Sequence, residues 1–201
     1  MGMMADLSVR KLRTGRNSAM MDVHNYSVNE RLKDGTAVTI RAVRPDDKGR
    51  FLVAFKNLEP ESIYTRFFGF KSELTDEEIK AATEVDFRKT VALVVTIPAS
   101  GGEDAIIGAG RYIMYDPSID LRRAEIAFTV EEDYQGQGIE GAILRHLINI
   151  AREKGVSQFE ADVLPENKAM LAVFARSGLP MKKTLEEGVV HVSLSLQAPE
   201  P

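Results

Sequence analysis

The sequence contains no cysteine, which excludes disulfide bonds, thiolate zinc sites and a cysteine nucleophile, and leaves cytosol as the default location. No apolar run approaches the roughly 18 residues that would span a bilayer, so no membrane anchor is expected. Positive charge is not in excess either. The 26 Lys plus Arg against 30 Asp plus Glu give a net charge of -4, which offers no general footprint for nucleic acid and mildly favours a cationic substrate. What is present is ordinary globular material: 201 residues, 44% hydrophobic and 28% charged, enough for one ample core.

The first 21 residues carry Arg10, Lys11, Arg13 and Arg16 against Asp6, a local net of +3. This stretch lacks the continuous apolar region of a secretory signal, and Asp6 breaks the myristoylation pattern that Gly2 would begin. An acid-poor, Arg-containing leader also fits an organelle transit peptide; we read it as a disordered extension or alternative start without function. The expected organisation is an N-terminal extension over 1–35, one domain over 36–197 and a short tail over 198–201.

Residues 37–43 read AVTIRAV, an alternating β-branched strand, and Pro45-Asp46-Asp47 announces a helix carrying Phe51, Leu52, Phe55 and Leu58 before Pro60 stops it. The stretch Ser62-Ile63-Tyr64-Thr65-Arg66-Phe67-Phe68 sets large side chains around one arginine. Thr75 and Glu78 form a capping-box signature for a second helix over about 76–85. Strands follow over 90–97, 105–115 and 123–130. Then Ile139, Ile143, Leu147 and Ile150 mark a long amphipathic helix, followed by a strand over 157–164, a helix from Asn167 to Arg176 and two final strands around Glu186-Glu187-Gly188. The order is β-α-α-β-β-β-α-β-α-β-β, an α/β arrangement with mixed strand pairing forced by helical crossovers.

Between the fourth strand and the long helix stands Tyr134-Gln135-Gly136-Gln137-Gly138. The first N–H groups of a helix lack intrahelical partners and carry positive dipole character, and glycine lets backbone approach a ligand, so this junction suits an anion such as a pyrophosphate. A plain turn remains the alternative. The spacing of Gly136, Gly138 and Gly141 matches a dinucleotide fingerprint, but it follows an antiparallel meander and lacks the acid that motif requires. No Lys-Ser or Lys-Thr pair follows the glycines, which excludes a P-loop.

Gln135-Gly136-Gln137-Gly138-Ile139 in this setting resembles the Gln/Arg-x-x-Gly-x-Gly/Ala coenzyme A loop of the GNAT (Gcn5-related) N-acetyltransferase superfamily, and the order of elements over 37–196 resembles its fold. Within it, Ile40-Arg41-Ala42-Val43-Arg44-Pro45-Asp46, the segment around Arg66 and Ala124-Glu125-Ile126-Ala127-Phe128 are similar to the catalytic domain of bacterial Pat-type protein lysine acetyltransferases. The resemblance implies acetyl-CoA bound in a splay between the fourth and fifth strands. Backbone groups of Phe128, Thr129 and Val130 would pair the pantetheine, Gln135, Gly136, Gln137, Gly138, Ile139, Glu140 and Gly141 would hold the pyrophosphate, and Asn167 would lie beside the pantetheine. Tyr64 and Arg66 would face the acceptor.

Two residues depart from the family pattern. Glu140 stands where the loop has its last Gly or Ala, and a carboxylate about 4 Å from a phosphate would cost on the order of 4 kcal/mol at an effective dielectric near 20. An outward-pointing Glu140 would instead complement the helix dipole, and that direction is the one expected. Phe174 occupies the place of the family's tyrosine and has no proton to give, so its expected role is core packing with Met170 and Leu171.

An amine attacking a thioester must be neutral, and at pH 7 a lysine with pKa near 10.4 falls short of that by roughly 4.6 kcal/mol. Glu125, set among apolar neighbours where partial burial is expected, resembles the glutamate base of Pat-type enzymes; the alternative is a structural acid paired with Arg111, Arg122 or Arg123. Arg66 is equally readable as an anchor for its own helix. His24, His146 and His191 are expected in packing or surface roles, no residue set has metal-ligand spacing, and no serine has a nucleophile elbow. The expected function is acetyl-CoA-dependent N-acetylation of an amine, a protein lysine first, through a ternary complex. The expected protein is a monomer or homodimer without nucleic acid, membrane or metal. A small-amine acetyltransferase and a non-catalytic acyl-CoA-binding or regulatory module are the alternatives.

Overall fold

A computed structural model describes residues 21–69, 71–99, 102–115 and 122–197, the Phe67 side chain excepted. The basic leader, the turn at Asp116-Pro117-Ser118 and the tail over 198–201 therefore lie outside the described residues.

Eight strands form one sheet in the order β1-β2-β3-β4-β5-β6-β8-β7. They are β1 (Ser27–Arg31), β2 (Ala37–Ala42), β3 (Thr90–Ile97), β4 (Ala105–Met114), β5 (Arg123–Val130), β6 (Gln158–Val163), β7 (Met181–Glu186) and β8 (Val189–Ser195). Every neighbouring pair is antiparallel except β5 and β6. Parallel strands need a crossover, and α4 (Ile139–Glu153) supplies it. Its apolar stripe, Ile139, Ile143, Leu147 and Ile150, is fully buried against the sheet. Two glycines on β4 permit that contact: a Cβ at Gly110 would meet Ile143 Cγ2 at 2.5 Å, and one at Gly108 would meet Ile139 Cγ2 at 2.9 Å. α5 (Lys168–Ala175) joins α4 on this face.

The other face carries α1 (Lys48–Asn57), α2 (Pro60–Phe67) and α3 (Asp76–Thr83). α1 is locked to the end of β2 by a buried cluster. Arg41 donates to both oxygens of Asp47 at 2.7 and 2.8 Å, and the Arg44 amide and Arg50 guanidinium each add a bond of 2.9 Å. α3 opens with the expected reciprocal bonds between Thr75 and Glu78.

Two elements stand outside the expected order. β1 precedes the expected domain start; its sequence, Ser-Val-Asn-Glu-Arg, has no strong apolar alternation because it is an edge strand with both faces partly wet. α2 begins with Pro60 at its first helical position, where a missing N–H costs nothing, so Pro60 starts a helix as well as ending the segment before it. With β1 counted, the expected fourth and fifth strands are β5 and β6.

Candidate active site

β5 and β6 pair over only three register positions, Arg123 with Gln158, Ala124 with Phe159 and Glu125 with Glu160, and then diverge. Which groups the gap exposes follows from the register with β4. Tyr115 N–H donates to Arg123 C=O and Glu131 N–H to Ile107 C=O, so the odd-numbered residues of β5 spend their main-chain groups on β4. The last rung with β6 uses the Ile126 N–H, so the Ile126 carbonyl and the groups of Phe128 and Val130 face the gap, where the Val130 carbonyl is taken by the Gln135 side-chain amide at 3.2 Å. Thr129 is the correction: its main chain is committed to Ala109 of β4 and cannot pair a ligand in the gap.

The gap opens into a cleft of about 570 Å³ between α2, β5, β6 and α5. At one end lies the glycine junction. A single 3-10 turn, Glu132–Tyr134, closes with the Gln135 N–H on the Glu132 carbonyl, so Gln135 spends its own amide internally. Gly136 and Gly138 then take positive φ, 72° and 92°, which side chains resist. Among the described residues no side chain or carbonyl accepts from the N–H groups of residues 136–141; the first bond of α4 runs from Ala142 to Gly138. The carbonyls are held from behind instead. Lys33 Nζ donates to Gly136 C=O at 2.8 Å and Lys33 N–H to Gln137 C=O at 3.2 Å.

Glu125 lines the cleft where the paired part of β5 and β6 ends. It is exposed, not partly buried as its sequence neighbours suggested, because strand alternation sends Ala124 and Ile126 to the opposite face. None of the arginines considered as its structural partner takes it. Arg123 bonds Glu160 at 3.0 Å and Arg122 bonds the Lys154 carbonyl, and among the described residues Glu125 makes no hydrogen bond or ion pair. Arg66 stands close by on α2, half-buried; its guanidinium pKa is drawn down to about 10 by burial and by Arg111, with Glu125 opposing.

The family profile of the acetyltransferase (GNAT) domain matches residues 37–180. The chain belongs to the GNAT acetyltransferase family. Acetyltransferase PA5475 of Pseudomonas aeruginosa is 30% identical over 155 residues, 77% of this chain and 81% of that protein. Acetyltransferase Pat of Mycolicibacterium smegmatis is 32% identical over 147 residues, 73% of this chain and 42% of the relative's length. Among solved structures, the GNAT domain of S. lividans PAT superposes with a TM-score of 0.76 at 32% identity, covering 84% of this chain and 96% of that one.

Within this GNAT acetyltransferase, Glu140 is half-buried and belongs to the residues that line the cleft. Asn167 also lines the cleft, but its side-chain oxygen caps α5 by accepting from Met170 N–H at 3.0 Å, leaving only its amide to donate outward. Phe174 is buried with its ring centroid 6.1 Å from that of Phe128, as expected of a packing residue. Ile139 is a core side chain and Gly141 lies in the first turn of α4. Tyr64 is not brought to the cleft. α2 is a helix, so Ser62, Thr65 and Arg66 share its inner face, while Tyr64, two positions from Arg66, points elsewhere.

The histidines stay out of the cleft: His24 stacks on Phe87, His146 is buried between Tyr26 and Glu30, and His191 pairs with Asp162. The residue that the sequence reading missed is Lys33, whose place beside the loop depends on β1 pairing with β2.

Proposed function

We propose that the chain transfers an acetyl group from acetyl-CoA to an amine, with a protein lysine as acceptor and Glu125 as the base. The observation that carries this reading is the run of unspent N–H groups over 136–141 at the end of a cleft whose wall, β5, keeps the Ile126 carbonyl and the main-chain groups of Phe128 free of strand partners beyond the last rung with β6. A diphosphate matches the first set by charge and by acceptor chemistry. The amides of pantetheine match the second as an added strand. Bound acetyl-CoA supplies an activated acyl group on a thiolate leaving group.

Glu125 has no partner to give up among the described residues, so its carboxylate is available to an ammonium arriving at the cleft mouth. Taking that proton supplies the neutral amine that attack requires, and general-base help of this kind contributes typically about 10²- to 10⁴-fold. The amine nitrogen bonds the carbonyl carbon and releases its second proton to solvent, the carbon–sulfur bond breaks, and the departing sulfur takes a proton from solvent, since Phe174 has none. The rim favours a cationic acceptor: Glu59, Glu61, Glu132, Asp162 and Glu166 line the cleft against Arg66 and Lys168. Steering of this kind suits a lysine on a protein surface.

Phe174 and Glu140 together favour a second reading, a module that binds acyl-CoA without turning it over. Acetyl-CoA titrated against thermal unfolding tests both, because ligand at 100 times its dissociation constant adds about 2.7 kcal/mol. No shift at millimolar ligand overturns both. A shift without acetylation of a lysine peptide or of spermidine leaves the binding module, and preference for spermidine replaces the protein acceptor with a small amine.

A further inference from the structure

On the face of the sheet that carries α1 and α3 lies a second cavity, of about 330 Å³. Its origin is a coincidence of small side chains on facing layers. Ala92 of β3 and Ala127 of β5 both stand opposite Arg111 of β4, and Ala109 lies two residues along β4, so three alanines form one patch on a single face. Across from them α1 contributes Ala54 and α3 contributes Ala81 and Ala82. Neither layer fills the space between. Phe51, Phe55, Leu58 and Leu74 close the sides.

The cavity is not isolated. Arg66, Ala127, Phe128 and Thr129 line both it and the cleft, so the two lie side by side along the stretch of β5 that runs out from Glu125. An occupant of this space should be largely apolar, since small and apolar side chains dominate a lining that also holds Arg66, Glu78, Arg111 and Glu131. It must also be slender, since it lies between a helix layer and a sheet, and it must enter beside Ala127. A volume of this size sits at the lower end of small-ligand pockets, about 300 Å³, and exceeds what an acetyl methyl needs.

We propose that this cavity is an acyl-chain pocket and that the enzyme accepts straight aliphatic acyl-CoA thioesters longer than acetyl, their chains running past Ala127 and Thr129 toward Ala82 and Ala109. The proposal rests on the reading of the cleft as an acyl-CoA site. The transfer itself is unchanged: the amine nitrogen bonds the acyl carbon, the carbon–sulfur bond breaks, and the proton passes to Glu125.

The test is a chain-length series of acetyl-, butyryl- and hexanoyl-CoA with one lysine peptide. Each buried methylene should lower KM about fourfold until the space is full. Ala82→Leu should leave acetyl transfer within twofold of the wild type and weaken hexanoyl transfer at least tenfold. Ala109→Val serves as the second filling variant if Ala82→Leu fails to fold by circular dichroism. Hexanoyl transfer at less than a tenth of acetyl transfer in the wild type overturns the pocket and leaves the acetyltransferase reading standing. Hexanoyl transfer that neither filling variant changes also overturns it, because the chain then lies elsewhere. If the wild type binds none of the thioesters and no CoA, the reading of the cleft fails first and the pocket with it.

Discussion

Lys33 Nζ donates to the carbonyl oxygen of Gly136 at 2.8 Å, a contact that spans 103 positions of sequence. Its backbone N–H takes the next carbonyl, Gln137, and its stem covers Gly138, where a Cβ would lie 3.6 Å from Lys33 Cε. The hairpin that carries it is tied to α4 as well: Glu30 accepts from Arg145 at 2.6 and 2.7 Å, and His146 bonds both Glu30 and Tyr26. With both carbonyls held, the peptide planes of the loop are fixed and their amides are kept from turning inward.

Lys33→Met keeps the stem and removes the bond. KM for acetyl-CoA should rise about tenfold, the low end for a hydrogen bond to a charged group, while kcat stays within twofold. Lys33→Arg should restore much of the affinity. Initial rates across acetyl-CoA concentration check this, and a fall in kcat at constant KM would contradict it.

Glu125→Gln should lower kcat by about 10²- to 10⁴-fold and leave the dissociation constant for acetyl-CoA unchanged by calorimetry. Activity of the variant should climb as pH rises toward the lysine pKa, because the solvent then supplies the neutral amine. Undiminished turnover would move the base elsewhere.

Glu140→Ala removes a negative charge from a residue that lines the cleft beside the loop. Affinity for CoA should increase severalfold, and affinity for acetyl-pantetheine, which lacks the diphosphate, should not change. Equal gains for both ligands would mean that the carboxylate acts through shape, not charge.

Asp47→Asn strips the buried Arg41 of its bidentate partner and should cost about 3–5 kcal/mol by urea unfolding. Burial opposes ionisation of Asp47, but the bonds from Arg41, the Arg44 amide and Arg50 outweigh it and hold its carboxyl below the ordinary carboxylate range. A depressed folded-state pKa stabilises above the unfolded value, about 3.9, and that contribution is lost as pH falls through the folded value. The gap between wild type and variant should therefore be full at pH 6 and shrink below about pH 4.

What the sequence disclosed and what it hid divide along the range of the interactions. The glycine loop was legible because positive φ at Gly136 and Gly138 restricts the choice of residue, and the α3 capping box was legible because both its partners lie within one turn. Glu125 stood out as an acid in an apolar run, yet its exposure did not, since alternation assigns a face only once the strand is placed. Tyr64 and Arg66 lie two positions apart in sequence, and the helical geometry of α2 turns them to different faces. Lys33 and β1 left no local signal, because a polar edge strand gains its meaning from a partner far along the chain. The alanines of the second cavity likewise look like ordinary helix and strand residues until three strands and two helices are set side by side.

The three rungs joining β5 to β6 make that line a seam in the sheet. β1 to β5 form one slab and β6, β8 and β7 another, while α4 packs on β3, β4 and β5 of the first. Whatever lodges in the wedge completes the missing rungs, so the Phe128 amide proton on β5 should exchange more slowly when the wedge is filled, and the far slab should open more readily as a unit when it is empty.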